Sequence, residues 1–137
     1  MIEAAPLLSV RGLCHDYDGI TACRDIAFDL WPGEVLGVVG ESGSGKTTLL
    51  NALSARLIPT AGAVRYRTRT QGMVEIYRLS EAERRLLMRT DWGFVHQNPR
   101  DGLRMAVSAG ANVAERLMVL GQEHYGRLRG QALDWMQ

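Results

Sequence analysis

The stretch Gly40-Glu41-Ser42-Gly43-Ser44-Gly45-Lys46-Thr47 sets the architecture expected of this chain, because it fills the G-x-x-x-x-G-K-[ST] template at all of its fixed positions. An apolar run at 35–39 precedes it, and leucines at helical spacing follow it between positions 49 and 57. The pattern therefore predicts a phosphate-binding loop, a P-loop, that joins a buried strand at 35–39 to a helix at 46–57.

The residue types of this loop suit a triphosphate with Mg²⁺. Glycines at 40, 43 and 45 permit backbone angles that turn successive N–H groups inward, toward phosphate oxygens. The Lys46 ammonium would reach the β- and γ-phosphates, the Thr47 hydroxyl would ligate Mg²⁺, and the helix N-terminus favours anions. We expect the ligand to contact the loop residues Gly40, Ser42, Gly43, Ser44, Gly45, Lys46, Thr47 and Thr48.

Composition excludes several other classes of protein. The 16 Lys and Arg residues nearly balance the 15 Asp and Glu residues, so no nucleic-acid partner is expected from bulk charge. Cys14 and Cys23 lack metal-ligand spacing, and we interpret both as small buried residues. No apolar run is long enough to span a bilayer and no signal pattern opens the chain, which predicts a cytoplasmic protein.

The segments before the helix and just after it predict an antiparallel β layer. Strands are expected at 7–14 and 21–30, bounded by Asp18-Gly19 and Pro32-Gly33 turns, with a further strand at 63–67. Residues 68–79 carry no clear pattern and stay unassigned.

The second half of the chain predicts helices around one more buried strand. Ser80 and Glu83 form a capping box that opens a helix to about position 90, with Ala82 and Leu86 on its apolar side. A core strand is expected at 92–96, followed by a polar turn that begins at Gln97. Two helical stripes complete the pattern, at Val113, Leu117 and Leu120 and at Leu128, Ala132, Trp135 and Met136.

The order of β layer, Trp31-Pro32-Gly33-Glu34 turn, P-loop and later Phe94-Val95-His96-Gln97-Asn98-Pro99 resembles the nucleotide-binding subunits of ABC-type ATPases. The resemblance implies an α/β fold of the P-loop NTPase class, with an antiparallel β layer, an incomplete and mainly parallel core sheet, and helices. Residues 1–97 would form the N-terminal part of the ATP-binding core, and residues 98–137 would begin a helical subdomain.

The same resemblance implies ATP and Mg²⁺ as cofactors and adds two site residues. Tyr17 occupies the place of the aromatic residue that stacks on adenine, although an ordinary strand-end tyrosine would look the same. Gln97 matches the glutamine whose carbonyl approaches Mg²⁺ and the attacking water, so it is expected as a catalytic residue and, with Thr47, as a metal ligand.

Within this family, several segments look like the ATP-binding subunit of the bacterial phosphonate carbon-phosphorus lyase system: 28–37, 92–97, and 101–104 followed by 108–110 and 115–118. The implied partners are a second ABC ATP-binding subunit, as a homodimer or heterodimer, and the carbon-phosphorus lyase core complex. Peptide and nickel importer ATPases are similar, so importer membrane subunits are the alternative partners. Membrane association would then occur only through these partners.

The departures from the family pattern limit what these residues can do. The signature motif, the Walker B carboxylates and the switch histidine do not occur before Gln137, so the chain is a fragment or a truncated product. We expect it to bind MgATP, to be inactive alone and to self-associate through a sheet that lacks flanking strands. A module that holds ATP without turnover stays open as an alternative. So does a small kinase whose lid would use Arg84, Arg85, Arg89, Arg100 and Arg104.

Overall fold

The computed structural model describes residues 5–119 and 125–135. Their contacts group the chain into two compact units, one up to Met88 and one from Arg89 onward. The predicted division of the chain, into part of the ATP-binding core at 1–97 and the start of a helical subdomain at 98–137, stays a prediction.

A four-stranded antiparallel sheet dominates the first unit. Its spatial order is β2-β1-β3-β4, and neighbouring strands are antiparallel throughout. The strands are β1 (Leu8–Tyr17), β2 (Ile20–Leu30), β3 (Ala61–Thr68) and β4 (Gly72–Glu75). The expected antiparallel layer is confirmed, and β4 lies in the stretch that the sequence left unassigned.

A tight turn at Asp18 and Gly19 joins β1 to β2, as the sequence predicts. Both residues have positive φ, 47° at Asp18 and 86° at Gly19. This pair of angles is typical of a two-residue type I′ hairpin, whose twist matches that of the flanking strands. The turn fixes the register that places Tyr17 opposite Ile20, and an irregularity between His15 and Asp16 then places His15 opposite Cys23.

The core of the first unit is formed by side chains of the sheet and of the segment that follows β4. Its largest fully buried side chains are Val10 and Leu13 from β1, Val64 from β3 and Ile76. Ile76 opens a short 3₁₀ turn, Ile76–Arg78, directly after β4. Burying such aliphatic side chains is the main favourable contribution to folding.

Two helices accompany the sheet, α1 (Lys46–Leu53) and α2 (Glu81–Thr90). Helix α1 is shorter than the predicted 46–57. The capping box of α2 is confirmed, because the Glu83 carboxylate accepts hydrogen bonds from the Ser80 N–H at 2.8 Å and from its hydroxyl at 2.6 Å. These bonds hold the pKa of Glu83 below its ordinary value.

The apolar side of α2 differs from the prediction. Leu87 is buried at 6% exposure, whereas Leu86 is 60% exposed and Ala82 is also exposed. Residues three and four apart share one side of a helix, and Arg84, which lies three positions before Leu87 and four before Met88, is accordingly less exposed, as is Met88.

The two predicted core strands are not strands in the structure. Residues 35–39 and 92–96 belong to none of the strands formed by the described residues. Val35 and Val39 are 95% and 92% exposed, and Val95 is 95% exposed. A strand requires a ladder of hydrogen bonds with a neighbouring strand, and among the described residues neither run forms such a ladder.

The second unit contains two helices, α3 (Ala109–Val119) and α4 (Tyr125–Trp135). Its core joins them through Ala114, Leu128 and Ala132, with Val113 and Leu117 packed against this cluster. The two predicted stripes are therefore confirmed in part, since Trp135 is 68% exposed and Leu120 and Met136 lie outside the described residues. No helix in the described ranges has the length and apolar character needed to cross a membrane.

Candidate functional site

The P-loop leads into α1 through glycines with left-handed backbone angles. Gly43 has φ 81° and Gly45, the N-cap residue of α1, has φ 87°. A Cβ atom at Gly45 would lie 2.0 Å from the carbonyl oxygen of Ala22 in β2. Only glycine therefore permits the loop to pass this close to the strand.

The Lys46 side chain is hydrogen-bonded to residues of the P-loop itself. Its Nζ donates hydrogen bonds to the carbonyl oxygen of Gly40 at 2.8 Å, to that of Glu41, and to the Ser44 hydroxyl at 3.2 Å. The Ser44 N–H also donates to the Glu41 carbonyl oxygen at 3.2 Å. The ammonium is thus held inside the loop by its own residues, and it is the only lysine of the chain.

The start of α1 can receive an anion. No side chain caps this end of the helix, and its first turn contains no acidic residue. The N–H groups of a helix N-terminus and the positive end of its dipole favour phosphate oxygens. The hydroxyl-bearing residues Ser42 and Thr47 are exposed, and Thr48 is half-buried.

The donor set of the loop fits a Mg²⁺-bound triphosphate. Backbone N–H groups and an ammonium are donors for phosphate, and the exposed Thr47 hydroxyl is an oxygen ligand of the kind that Mg²⁺ prefers. The described residues contain no group of three or more His, Cys, Asp or Glu side chains that could hold a metal without a phosphate. A magnesium ion at this site would take its other ligands from phosphate oxygens and from water.

Cys23 packs directly behind the P-loop. It is 6% exposed, and its Sγ lies 3.8 Å from the carbonyl oxygen of Gly45. Burial, and to a lesser degree the neighbouring Cys14, raises the pKa of the Cys23 thiol. The interpretation of Cys23 as a small buried residue is confirmed, whereas Cys14 is only half-buried and accepts a hydrogen bond from the Asp25 N–H.

Tyr17 ends β1, and the residue is 47% exposed. The His15 ring meets it edge to face, with 4.5 Å between the ring centroids and 79° between the planes. Tyr17 and the P-loop lie in the same unit, connected through the β1–β2 hairpin and Cys23. The ring is thus accessible to a flat ligand, and its assignment to adenine stays a proposal.

Gln97 lies in the second unit, exposed in the polar segment after residues 92–96. The neighbouring Asn98 side chain accepts a hydrogen bond from the Arg100 N–H at 3.1 Å and begins the 3₁₀ turn Pro99–Gly102. The predicted irregular segment after His96 is confirmed, and the role of Gln97 as a catalytic residue and metal ligand stays a proposal.

The sequence did not predict a role for Tyr77, whose hydroxyl contacts backbone carbonyl groups in and just after α1, the helix that follows the P-loop. The hydroxyl contacts the carbonyl oxygen of Ala52, in the last turn of α1, and that of Leu57, four residues after the helix ends. Burial raises the pKa of Tyr77 to about 12. No sequence motif marks this contact, because it joins residues 20 or more positions apart.

The second unit also has a cavity of about 200 Å³ between α3 and α4. Mainly apolar or small residues line it, including Ala114, Leu128 and Leu133, and Arg129 is its only charged residue. One guanidinium beside apolar side chains is a poor match for a triphosphate, so the P-loop remains the candidate site.

Comparisons with known proteins agree with the geometry of the loop. Residues 23–136 match the ABC transporter family. Over 132 residues the chain is 56% identical to PhnK, an ATP-binding protein assigned to phosphonates utilization in Escherichia coli (strain K12), with 96% of this chain and 50% of PhnK covered.

Solved structures agree as well. The dimeric structure of MJ0796, a bacterial ABC transporter cassette, superposes with a TM-score of 0.80 at 26% identity, covering 93% of this chain and 54% of that one. A dimeric post-hydrolysis state of the same cassette, bound to ADP and Pi, gives a TM-score of 0.78 at 26% identity, with the same coverage. The present chain therefore spans about half the length of these relatives.

Proposed function

The chain belongs to the ABC transporter family, and we propose on this basis that it binds MgATP at the P-loop and serves phosphonate utilization. The observation that carries the proposal is the loop itself. Lys46 is held within it by the carbonyl oxygens of Gly40 and Glu41, and α1 begins with uncapped N–H groups. This arrangement provides the positive charge and backbone donors that a triphosphate requires.

Each loop residue has a proposed part in holding the nucleotide. Backbone N–H groups from Gly43 to Thr48 would surround the β-phosphate, and Lys46 would neutralise charge between the β- and γ-phosphates. The Thr47 hydroxyl, exposed on the first turn of α1, would ligate Mg²⁺.

Two residues outside the loop would complete the contacts available in this chain. Tyr17 would stack on adenine, which its half-exposed ring at the end of β1 supports. Gln97, which is exposed, would bring its side-chain carbonyl to Mg²⁺ and to the attacking water, a role that rests on its match to the glutamine of the ABC family.

ATP hydrolysis is proposed for the dimer formed by full-length subunits. The related MJ0796 cassette is dimeric in its state with ADP and Pi, which supports a second ABC subunit as partner. Carbon-phosphorus lyase components are proposed as the further partners, and the cytoplasm as the location, from the resemblance of the sequence; the similarity to PhnK, a phosphonates utilization ATP-binding protein, supports a role in phosphonate use. A peptide or nickel importer ATPase is the alternative, and no comparison favours it over phosphonate utilization.

Titration of the purified chain with MgATP and with MgAMP tests the proposal by calorimetry. The two ligands share the base and the sugar, so the loop predicts that most of the affinity comes from the β- and γ-phosphates. Binding of MgATP at least tenfold tighter than MgAMP is expected. Equal affinities would show that the loop does not hold the phosphates.

Modification of the single lysine gives an independent measurement. Amine-reactive reagents can modify only Lys46 and the amino terminus of this chain, so the amino terminus is an internal control. MgATP is expected to slow modification of Lys46 and to leave the amino terminus unchanged, as measured by mass spectrometry. Equal modification with and without MgATP would contradict the proposed site.

A further inference from the structure

His15 is a buried histidine whose burial is not explained by hydrogen bonds of its side chain. Its side chain is 8% exposed, and its Nδ1 has no hydrogen-bond partner among the described residues. Buried polar atoms in proteins are usually paired, because an unpaired one loses its hydration without compensation. The role of this ring must therefore be sought in its packing.

The ring packs edge to face against Tyr17. The centroids are 4.5 Å apart and the planes stand at 79°, a preferred geometry for aromatic pairs. His15 and Tyr17 lie two positions apart on β1, and their ring contact shows that both side chains lie on the same side of the strand although the β1–β2 register shifts between His15 and Asp16. His15 thus supports one side of the Tyr17 ring, while Tyr17 remains 47% exposed.

The same histidine is connected to the P-loop. It stands opposite Cys23 across the β1–β2 ladder, and Cys23 in turn contacts the carbonyl oxygen of Gly45 at 3.8 Å. Gly45 lies against the β2 backbone so closely that no side chain fits there. A continuous series of contacts therefore runs from Gly45 through Cys23 and His15 to Tyr17.

We infer that His15 is a positioning residue that holds the Tyr17 ring in place to stack on the base of a bound nucleotide. The inference rests on the proposed function, because it needs a nucleotide with its phosphates at Gly45 and its base at Tyr17. A ring that is already held loses less rotational freedom when the base arrives. His15 acts on affinity through Tyr17 and makes no contact with the phosphates.

The test separates base binding from phosphate binding. Calorimetry measures the affinity of the 137-residue chain for MgATP and for magnesium tripolyphosphate, which has no base. His15→Leu removes the ring and keeps an apolar side chain of similar size. His15→Phe keeps a ring, and should be tolerated because no hydrogen bond of Nδ1 is lost. Circular dichroism melting checks that each variant is folded.

We expect His15→Leu to weaken MgATP binding by about two- to tenfold, which is the energy of one aromatic pair expressed as a ratio of dissociation constants, and to leave tripolyphosphate binding unchanged. His15→Phe should bind MgATP within about twofold of the unchanged chain. In a Tyr17→Ala background, His15→Leu should have no further effect, because the ring that it supports is gone.

Three results would overturn the inference. The first is unchanged MgATP affinity in a folded His15→Leu variant. The second is an equal loss of MgATP and tripolyphosphate affinity, which would mean that His15 supports the loop and not the base. The third is MgATP binding no tighter than tripolyphosphate in the unchanged chain, which leaves phosphate binding intact but gives the base no role. Failure to bind either ligand would contradict the proposed function as well.

Discussion

The Tyr77 hydroxyl donates a hydrogen bond to the carbonyl oxygen of Leu57, 2.8 Å away, and also contacts the carbonyl oxygen of Ala52. The last carbonyl groups of a helix have no partner within the helix. Tyr77 therefore ties the C-terminal end of α1 to the 3₁₀ turn Ile76–Arg78. The opposite end of α1 bears the P-loop, so this contact helps to fix the helix on which the site is built.

Tyr77→Phe should lower the free energy of unfolding by about 0.5 to 1.5 kcal/mol, because it removes the donor but keeps the ring. Burial raises the pKa of Tyr77 from 10.0 to about 12, so the folded chain holds the phenolic proton more tightly than the unfolded chain does. This stabilisation is complete below pH 10 and is lost as the pH rises toward 12.

Circular dichroism melting across this pH range measures the effect. The melting temperature of the unchanged chain should fall more steeply than that of Tyr77→Phe, which has no group to titrate there. Two parallel curves would show that the Tyr77 hydroxyl is not held as the structure describes.

Gly45→Ala should abolish nucleotide binding, because its Cβ would collide with the Ala22 carbonyl oxygen and force the loop away from β2. Gly33→Ala is the matched control. Gly33 has a similar φ of 84°, but a Cβ there meets no atom within 4 Å. It should cost only the backbone strain of about 1 to 2 kcal/mol and keep MgATP affinity. Similar MgATP affinities in the two variants would argue against the close packing of Gly45.

Local patterns allowed much of the structure to be predicted. The P-loop, the Asp18-Gly19 turn and the capping box of Ser80 and Glu83 each depend on residues a few positions apart. Such short-range hydrogen bonds and backbone angles are set by the residues themselves. Their positions in the structure agree with the sequence.

The features that could not be predicted from the sequence depend on strand pairing and contacts between residues far apart in the chain. The apolar run 35–39 looks like a strand, but its pairing depends on segments elsewhere in the chain. The four-residue strand β4 is too short to show a clear alternation. Tyr77 and His15 act through neighbours that only the fold brings close, so neither role had a motif.

The exposed run 35–39 predicts self-association. Val35 and Val39 are almost fully exposed, and an apolar segment without a strand neighbour is a template for pairing with another chain. Light scattering should show species larger than the 15.2 kDa monomer at high protein concentration. Val35→Lys with Val39→Lys should shift the population toward monomer.

Ile58→Lys provides the control, since Ile58 is 64% exposed but lies outside that run. It should leave association unchanged. If Ile58→Lys disperses the chain as well as the double variant does, general surface hydrophobicity and not residues 35–39 causes the association.

Steady-state phosphate release by the 137-residue chain should equal that of its Lys46→Ala variant. The related cassette is dimeric in its post-hydrolysis state, and positioning by a P-loop alone leaves the attacking water and developing charge without partners. A sensitive phosphate assay with both proteins measures this. Release that exceeds the Lys46→Ala background would contradict the need for further residues.

The most direct test of the central claim is the MgATP affinity of Lys46→Ala compared with that of Arg69→Ala. Each substitution removes one positive charge, but Lys46 lies inside the P-loop whereas Arg69 is exposed in the turn between β3 and β4. Calorimetry should show that Lys46→Ala lowers the affinity for MgATP at least tenfold, because a hydrogen bond from a charged group to phosphate is removed. Arg69→Ala should leave the affinity unchanged. Unchanged MgATP affinity in a folded Lys46→Ala variant would contradict the assignment of the P-loop as the nucleotide site.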